Sequence, residues 1–318
     1  MKKAATLLLF ILLCGSIPAQ QKSRIEVIDD SSVVVIPLQE VTVYATHKTE
    51  PSQISTLSKK EIEKRNGSSV ADLLSVNSAL SITRGAKTET RTRIRGFPAR
   101  DVLVLVDGRP LNPGYYGRAD LSLVPRENIE KIKIIKGPAS VAYGANTLGG
   151  IINIVTSSAQ KEPSTTISSE FCNDKSRRLT FNHSDYRESI SYRVSAYDHH
   201  SPGFLLSNDF TSTPVEDGGR RDHSDFHKSG LSAKLACNPG SDQQVALSLG
   251  YHQAEKNVPP GIYLWDDVRQ RKFPWWRHYS AALNTRLGLP SRATLKAVLF
   301  ADASNDRLKE WTDASRTS

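Results

Sequence analysis

Between positions 199 and 225 the chain gathers His199, His200, Asp209, Asp217, Asp222, His223 and Asp225, residue types that can ligate a divalent cation. Their spacing is irregular and matches no metal-ligand signature, so the segment reads as an ordinary solvated loop and no metal is assigned. Covalent chemistry has no better footing. There is no G-x-S-x-G elbow and no H-E-x-x-H, and the glycines from Gly137 to Gly150 lack the Gly-Lys-Ser/Thr of a phosphate-binding loop. Arg95-Gly96-Phe97 touches an RNA-recognition pattern that Pro98 and Ala99 break. An enzyme is not expected, and no catalytic residue or cofactor is assigned.

What remains is recognition chemistry. Glu40, Val41, Thr42, Val43, Tyr44 and Ala45 alternate as an extended segment that can add itself, through its backbone, to the sheet of another protein. Pro37 upstream cannot donate to a ladder, so this part of the chain suits an edge or a tail. Arg93 and Arg95 fall on one face of a predicted strand, and a buried guanidinium there needs a partner. Tyr115 and Tyr116, flanked by Gly114 and Gly117, offer aromatic surface at the tip of a turn, and Arg118 adds a cation suited to anionic chelates.

These groups must be carried by two kinds of element. Lys2 and Lys3, an apolar run and then small residues lay out a secretory signal over residues 1–19, and the mature protein is expected to begin near Gln20. The run is too short for a spanning helix, and Leu13 is bulky where a lipidated Cys14 would want a small neighbour. Residues 20–50 read as a periplasmic tail. A mixed α+β domain is expected over residues 51–158. It has a capping box at Ser58-Lys59-Lys60-Glu61, a helix end at Asn66-Gly67, a second cap at Ser69, a buried strand Val102–Val106, a hairpin turn at Asp107-Gly108, and a half-buried strand on which Ile132 and Ile134 alternate with lysines. The net charge of +9 and pI near 9.4 are spread along an exported chain with acidic residues between, which argues against nucleic acid.

After Ser158 the pattern changes to short alternating strands, expected near residues 165–171, 178–183, 190–197, 228–237, 244–252, 277–287 and 293–301. The connections after the third and fifth are long and those after the fourth and sixth tight, the parity of an antiparallel barrel entered from the periplasm, although the first connection is short. Cys172 and Cys237 then fall at opposite ends of the wall, so no disulfide is expected. The tryptophans of Phe273-Pro274-Trp275-Trp276 are expected at a membrane interface. A plugged barrel has roughly 22 strands, so most of the wall is expected to lie outside residues 159–318, and the segment alone would leave unpaired edges rather than a working pore.

In order along the chain, LQEVTVYA at 38–45, ADLL at 71–74, RIRG at 93–96, VLVDG at 104–108, IEKIKIIKGP at 129–138, Tyr143-Gly144 and GGIINIV at 149–155 resemble the TonB-dependent outer-membrane receptors. The resemblance implies an α+β plug inside an antiparallel transmembrane β-barrel of the Gram-negative outer membrane. It implies energised import of a scarce metal chelate, a ferric siderophore or cobalamin. It makes residues 38–45 the box on which the inner-membrane protein TonB pulls, and outer-membrane lipid the surrounding medium. It makes Arg93 and Arg95 anchors of the plug to wall glutamates, and Lys87, Thr88, Arg91, Tyr115, Tyr116 and Arg118 substrate-facing residues of plug loops. Receptors of the same class for haem, oligosaccharide or copper, and an exported plug-like binding protein that moves nothing, are the alternatives.

Overall fold

The computed structural model describes residues 24–28, 54–65, 69–84, 90–111, 121, 124–138, 146–159, 162–187, 189–240, 243–262, 270–289 and 293–311. The expected signal, the box at residues 38–45, the Asn66-Gly67 helix end and the Tyr143-Gly144 motif lie outside them.

In the plug, strand β2 (Ile54–Ser58) passes directly into helix α1 (Lys59–Lys64). The Ser58 amide and hydroxyl donate to Glu61 at 2.8 and 2.7 Å, closing the capping box and holding the Glu61 carboxyl below the usual carboxylate range. Helix α2 (Val70–Ser75) is capped by the Ser69 hydroxyl, which accepts from the Asp72 amide, and it buries Val70, Leu73 and Leu74 completely. Strands β3 (Leu80–Arg84) and β4 (Thr90–Ile94) pair with each other. The main sheet runs β2-β7-β8-β5-β6, with β5 (Val102–Val106), β6 (Arg109–Pro110), β7 (Ile129–Lys136) and β8 (Gly150–Thr156).

Strand β5 lies parallel to β8, and both are buried on two faces, which explains their continuous apolar runs. On one face Val102, Val104, Ile132, Ile134, Ile152 and Ile154 meet the helices; on the other Leu103, Leu105, Ile135 and Ile151 form a smaller cluster. Asp107 and Gly108 both take positive φ (48° and 81°), the conformation of a two-residue hairpin turn.

Beyond the plug a second sheet runs β1-β15-β14-β13-β12-β11-β10-β9, with every pairing antiparallel. Its strands are β9 (Ser164–Phe171), β10 (Arg177–Arg187), β11 (Ile190–Ser201), β12 (Phe226–Gly240), β13 (Gln243–Val258), β14 (Gln270–Gly288) and β15 (Thr294–Trp311). All seven expected strands are present and in order. They run further than the alternation indicated, because charged and polar residues continue the ladder past the apolar band. Strand β1 (Arg24–Ile28), pairing with β15, was not anticipated. The connections follow the expected parity: 202–225 and 259–269 are long, whereas 188–189, 241–242 and 289–293 are tight.

The two faces of this sheet reverse the pattern of a soluble protein. Leu179, Phe181, Tyr192, Leu231, Leu235, Leu249, Tyr279 and Leu299 are exposed on one face, while Arg178, Thr180, Ser195, Lys234, His252 and Asn284 are buried on the other. Apolar residues outward and polar residues inward is the arrangement of a barrel wall in lipid. No helix among the described residues is long and apolar enough to cross a membrane.

Cys172 follows Phe171 at the end of the sheet where Arg177 faces His200, and Cys237 faces Ile190 at the other end. Both thiols are free, as expected. The aromatic run after residue 272 belongs to a strand. Phe273, Trp275 and Trp276 lie within β14 at a break in register that accommodates Pro274. The Trp276 ring carries the Lys256 ammonium 3.9 Å from its centroid.

Candidate functional site

The chemistry of this molecule is concentrated where the plug meets the polar face of the wall. After Pro125 fixes the backbone, Arg126–Asn128 makes a single 3-10 turn, and Ile129, 3% exposed, fastens that turn to the plug core. Each of the three side chains reaches a different part of the wall. Arg126 pairs with Glu170 on β9. Glu127 receives the Arg178 guanidinium of β10 at 3.1 Å, both side chains being less than a tenth exposed. The Asn128 carbonyl oxygen accepts from Arg193 at 3.0 Å and from the Ser195 hydroxyl at 3.4 Å, both on β11, and its amide donates to Ser232 on β12 at 3.3 Å. Arg178 also lies 2.8 Å from His199 Nδ1. A guanidinium can only donate, so that ring nitrogen is the acceptor. One turn thereby touches four successive strands.

A second group of contacts surrounds the β5–β6 turn. The Asp107 carboxylate accepts from the Thr156 amide at 2.8 Å, from the Thr156 hydroxyl, and from Lys234 of β12 at 2.9 Å. Two residues on, Arg109 pairs with Asp302 of β15, which in turn lies 3.5 Å from His278 Nε2. Charge-assisted bonds in such dry surroundings are strong and directional, and removing one member strands the other. Between these ties a cavity of about 100 Å3 separates the plug from β12–β14.

Of the residues singled out from sequence, those the structure describes sit elsewhere. Arg93 is on β4 and exposed. Arg95 is not on that strand's face as expected: β4 ends at Ile94, and Arg95 occupies the following turn with φ 48°, also exposed. Arg91 is in β4, half-buried and facing Thr83, rather than in a loop. Lys87, Thr88, Tyr115, Tyr116 and Arg118 lie outside the described residues, as do Glu40, Val41, Thr42, Val43, Tyr44 and Ala45. Sequence reading missed Arg126–Asn128, Asp107, Lys234 and Asp302 as functional groups. The available signal was parity: Arg193, Lys234 and Asp302 are charged at inward positions of alternating strands.

In the 202–225 connection Glu216, Asp217 and Asp222 bring carboxylate oxygens within 4.8 Å of one another. One oxygen of the buried Glu216 is taken by Arg221 and by the Asp222 amide, and Arg221 also donates to the carbonyl of Pro260, tying this connection to the next long one. Burial pushes the Glu216 carboxyl up, but Arg221 and the backbone donors outweigh it and hold it below its ordinary value of 4.5. A depressed folded value contributes stability above the unfolded pKa that is lost as pH falls through the folded one. Cleavage within 202–225 by an acid-active protease is therefore expected to increase below about pH 4.5. Glu216→Gln should flatten that dependence; a flat profile in the parent would refute it.

A small α+β plug docked on the polar face of an apolar-outward antiparallel sheet defines a plugged membrane β-barrel. Residues 46–151 match the family described as TonB-dependent Receptor Plug Domain. It is 32% identical over 186 residues to a ferric enterobactin receptor of Pseudomonas aeruginosa, covering 50% of this chain and 25% of that protein. It is 34% identical over 113 residues to the vitamin B12 transporter BtuB of Vibrio vulnificus, covering 35% and 18%. The crystal structure of the siderophore receptor PiuA from Acinetobacter baumannii superposes with a TM-score of 0.62 at 18% identity over 80% of this chain and 36% of that one. The chain thus spans a quarter or less of the curated relatives cited.

Proposed function

We propose that this chain belongs to an outer-membrane receptor for energised uptake of a metal chelate, a ferric siderophore or cobalamin, with the plug gating the barrel. The observation that carries the reading is the seating of the plug by buried ion pairs on the inward face of a wall whose outward face is apolar. A tightly docked plug closes a lumen, so passage requires external work, and an alternating segment such as residues 40–45 is a fitting handle for a partner that supplies it. Glu40, Val41, Thr42, Val43, Tyr44 and Ala45 would pair with TonB. Lys87, Thr88, Arg91, Tyr115, Tyr116 and Arg118 would face the chelate. Arg93 and Arg95, exposed here, would meet wall glutamates. The N-terminal signal would be cleaved on export.

The test is uptake by cells expressing the full-length receptor, supplied in parallel with labelled ferric enterobactin and labelled cobalamin. One of the two is expected to accumulate only when TonB is present. Accumulation of neither, with the receptor in the outer membrane, would reject this substrate class.

A further inference from the structure

We propose that the β5–β6 turn is a two-point clasp over a passage between plug and wall, and that releasing it opens the lumen along the strip of small side chains on β13 and β14. The inference deepens the transport reading above and rests on it. Asp107 and Arg109 stand two residues apart with opposite charges, and their wall partners are on strands that are not neighbours: Lys234 on β12 and Asp302 on β15. The strands between, β13 and β14, present Ser248, Gly250, Ser280 and Ala282 to the cavity beneath the turn.

The side chains of that strip are small and close together. A Cβ at Gly250 would come within 2.6 Å of the Ser280 hydroxyl, so even a methyl group would crowd it. The cavity has room for water, and the buried Ser248 hydroxyl, without a protein partner, is a group that water there would satisfy. A passage widened at this point would run over small hydroxyl and glycine positions, with His252 and His278 of the same strands also lining it.

The clasp can also let go without unfolding the plug. When Lys234 is withdrawn, Asp107 keeps both Thr156 donors. The Arg126–Asn128 ties lie to one side, on β9 to β12, and would hold the plug as a hinge while the turn lifts. Each clasp pair is charge-balanced and almost dry on the plug side, so the closed state dominates at rest and opening must separate both pairs together.

The experiment is calcein efflux from liposomes carrying the full-length receptor, with heat-modifiable gel migration confirming a folded barrel. The double variant Lys234→Met, Asp302→Asn is expected to release the dye about tenfold faster than the parent, with each single variant in between. Adding Ser248→Leu, which fills the strip, should reverse most of the gain. Glu255→Gln, which weakens a wall ion pair to Lys272 that does not reach the plug, should stay within about twofold of the parent. A folded double variant with parental efflux overturns the proposal, and so does an equal rise from Glu255→Gln. Efflux needs neither cargo nor TonB, so a failure here is distinguishable from a failure of the uptake reading.

Discussion

Replacing Arg178 by methionine is expected to loosen the plug by about 3 kcal/mol, the lower end of what breaking a buried ion pair costs. The physical reason is the carboxylate left behind. Glu127 is 8% exposed at its side chain and receives Arg178 at 3.1 Å, while its other cation, Arg126, lies at 3.8 Å and is engaged with Glu170. Methionine matches the stem of arginine but offers no charge, so Glu127 must either stay buried with a distant partner or drag the turn toward solvent. Amide hydrogen exchange along β7, which follows that turn directly, would read the effect as opening about a hundredfold more frequent. Adding Glu127→Gln should recover part of the loss, because the uncompensated charge is gone even though the bond is not restored. Unchanged exchange in the single variant would mean that the turn is not what seats the plug.

Val41→Pro is expected to lower energised uptake by about 10- to 100-fold while leaving chelate binding at the cell surface intact. If residues 40–45 pair with TonB as an added strand, proline removes a backbone donor and disturbs its neighbours. Two lost ladder bonds at about 1 kcal/mol each correspond to that range. Val41→Thr, which keeps the donor and the β-branched shape, should transport nearly as well as the parent. Equal uptake by the proline variant would remove this segment from the energised step.

The wall strands were readable from sequence because alternation in a two-faced sheet is a local signal. Leu231, Ala233 and Leu235 point one way and Ser232 and Lys234 the other, whatever else the chain does. The plug strands were readable for the opposite reason, since Val102–Val106 and residues 151–155 are apolar on both sides. The contacts that matter were not legible, because each joins residues far apart along the chain: Lys234 finds Asp107 across 127 positions and Arg109 finds Asp302 across 193. Such partners depend on register and on the docking angle of the plug, which no local pattern encodes. The arginines that were singled out, Arg93 and Arg95, were found by motif. Arg95 lay beyond its strand because the turn after Ile94 takes the left-handed conformation, which periodicity does not report.

The turn at Arg126–Asn128 has a consequence for how the molecule assembles. Hairpins of a barrel wall can slip against one another, and a slip of one residue turns every inward side chain outward. Arg178, Arg193 and Ser232 can meet one rigid turn together only when β10, β11 and β12 stand in the observed alignment. A one-residue slip of β10 would turn Arg178 toward lipid and leave Glu127 without its guanidinium, and the same slip of β11 would turn Arg193 away from Asn128. The plug therefore acts on its own container as a gauge: a wall closed around it in the wrong register cannot accept it, and the correctly threaded wall is the one in which it seats.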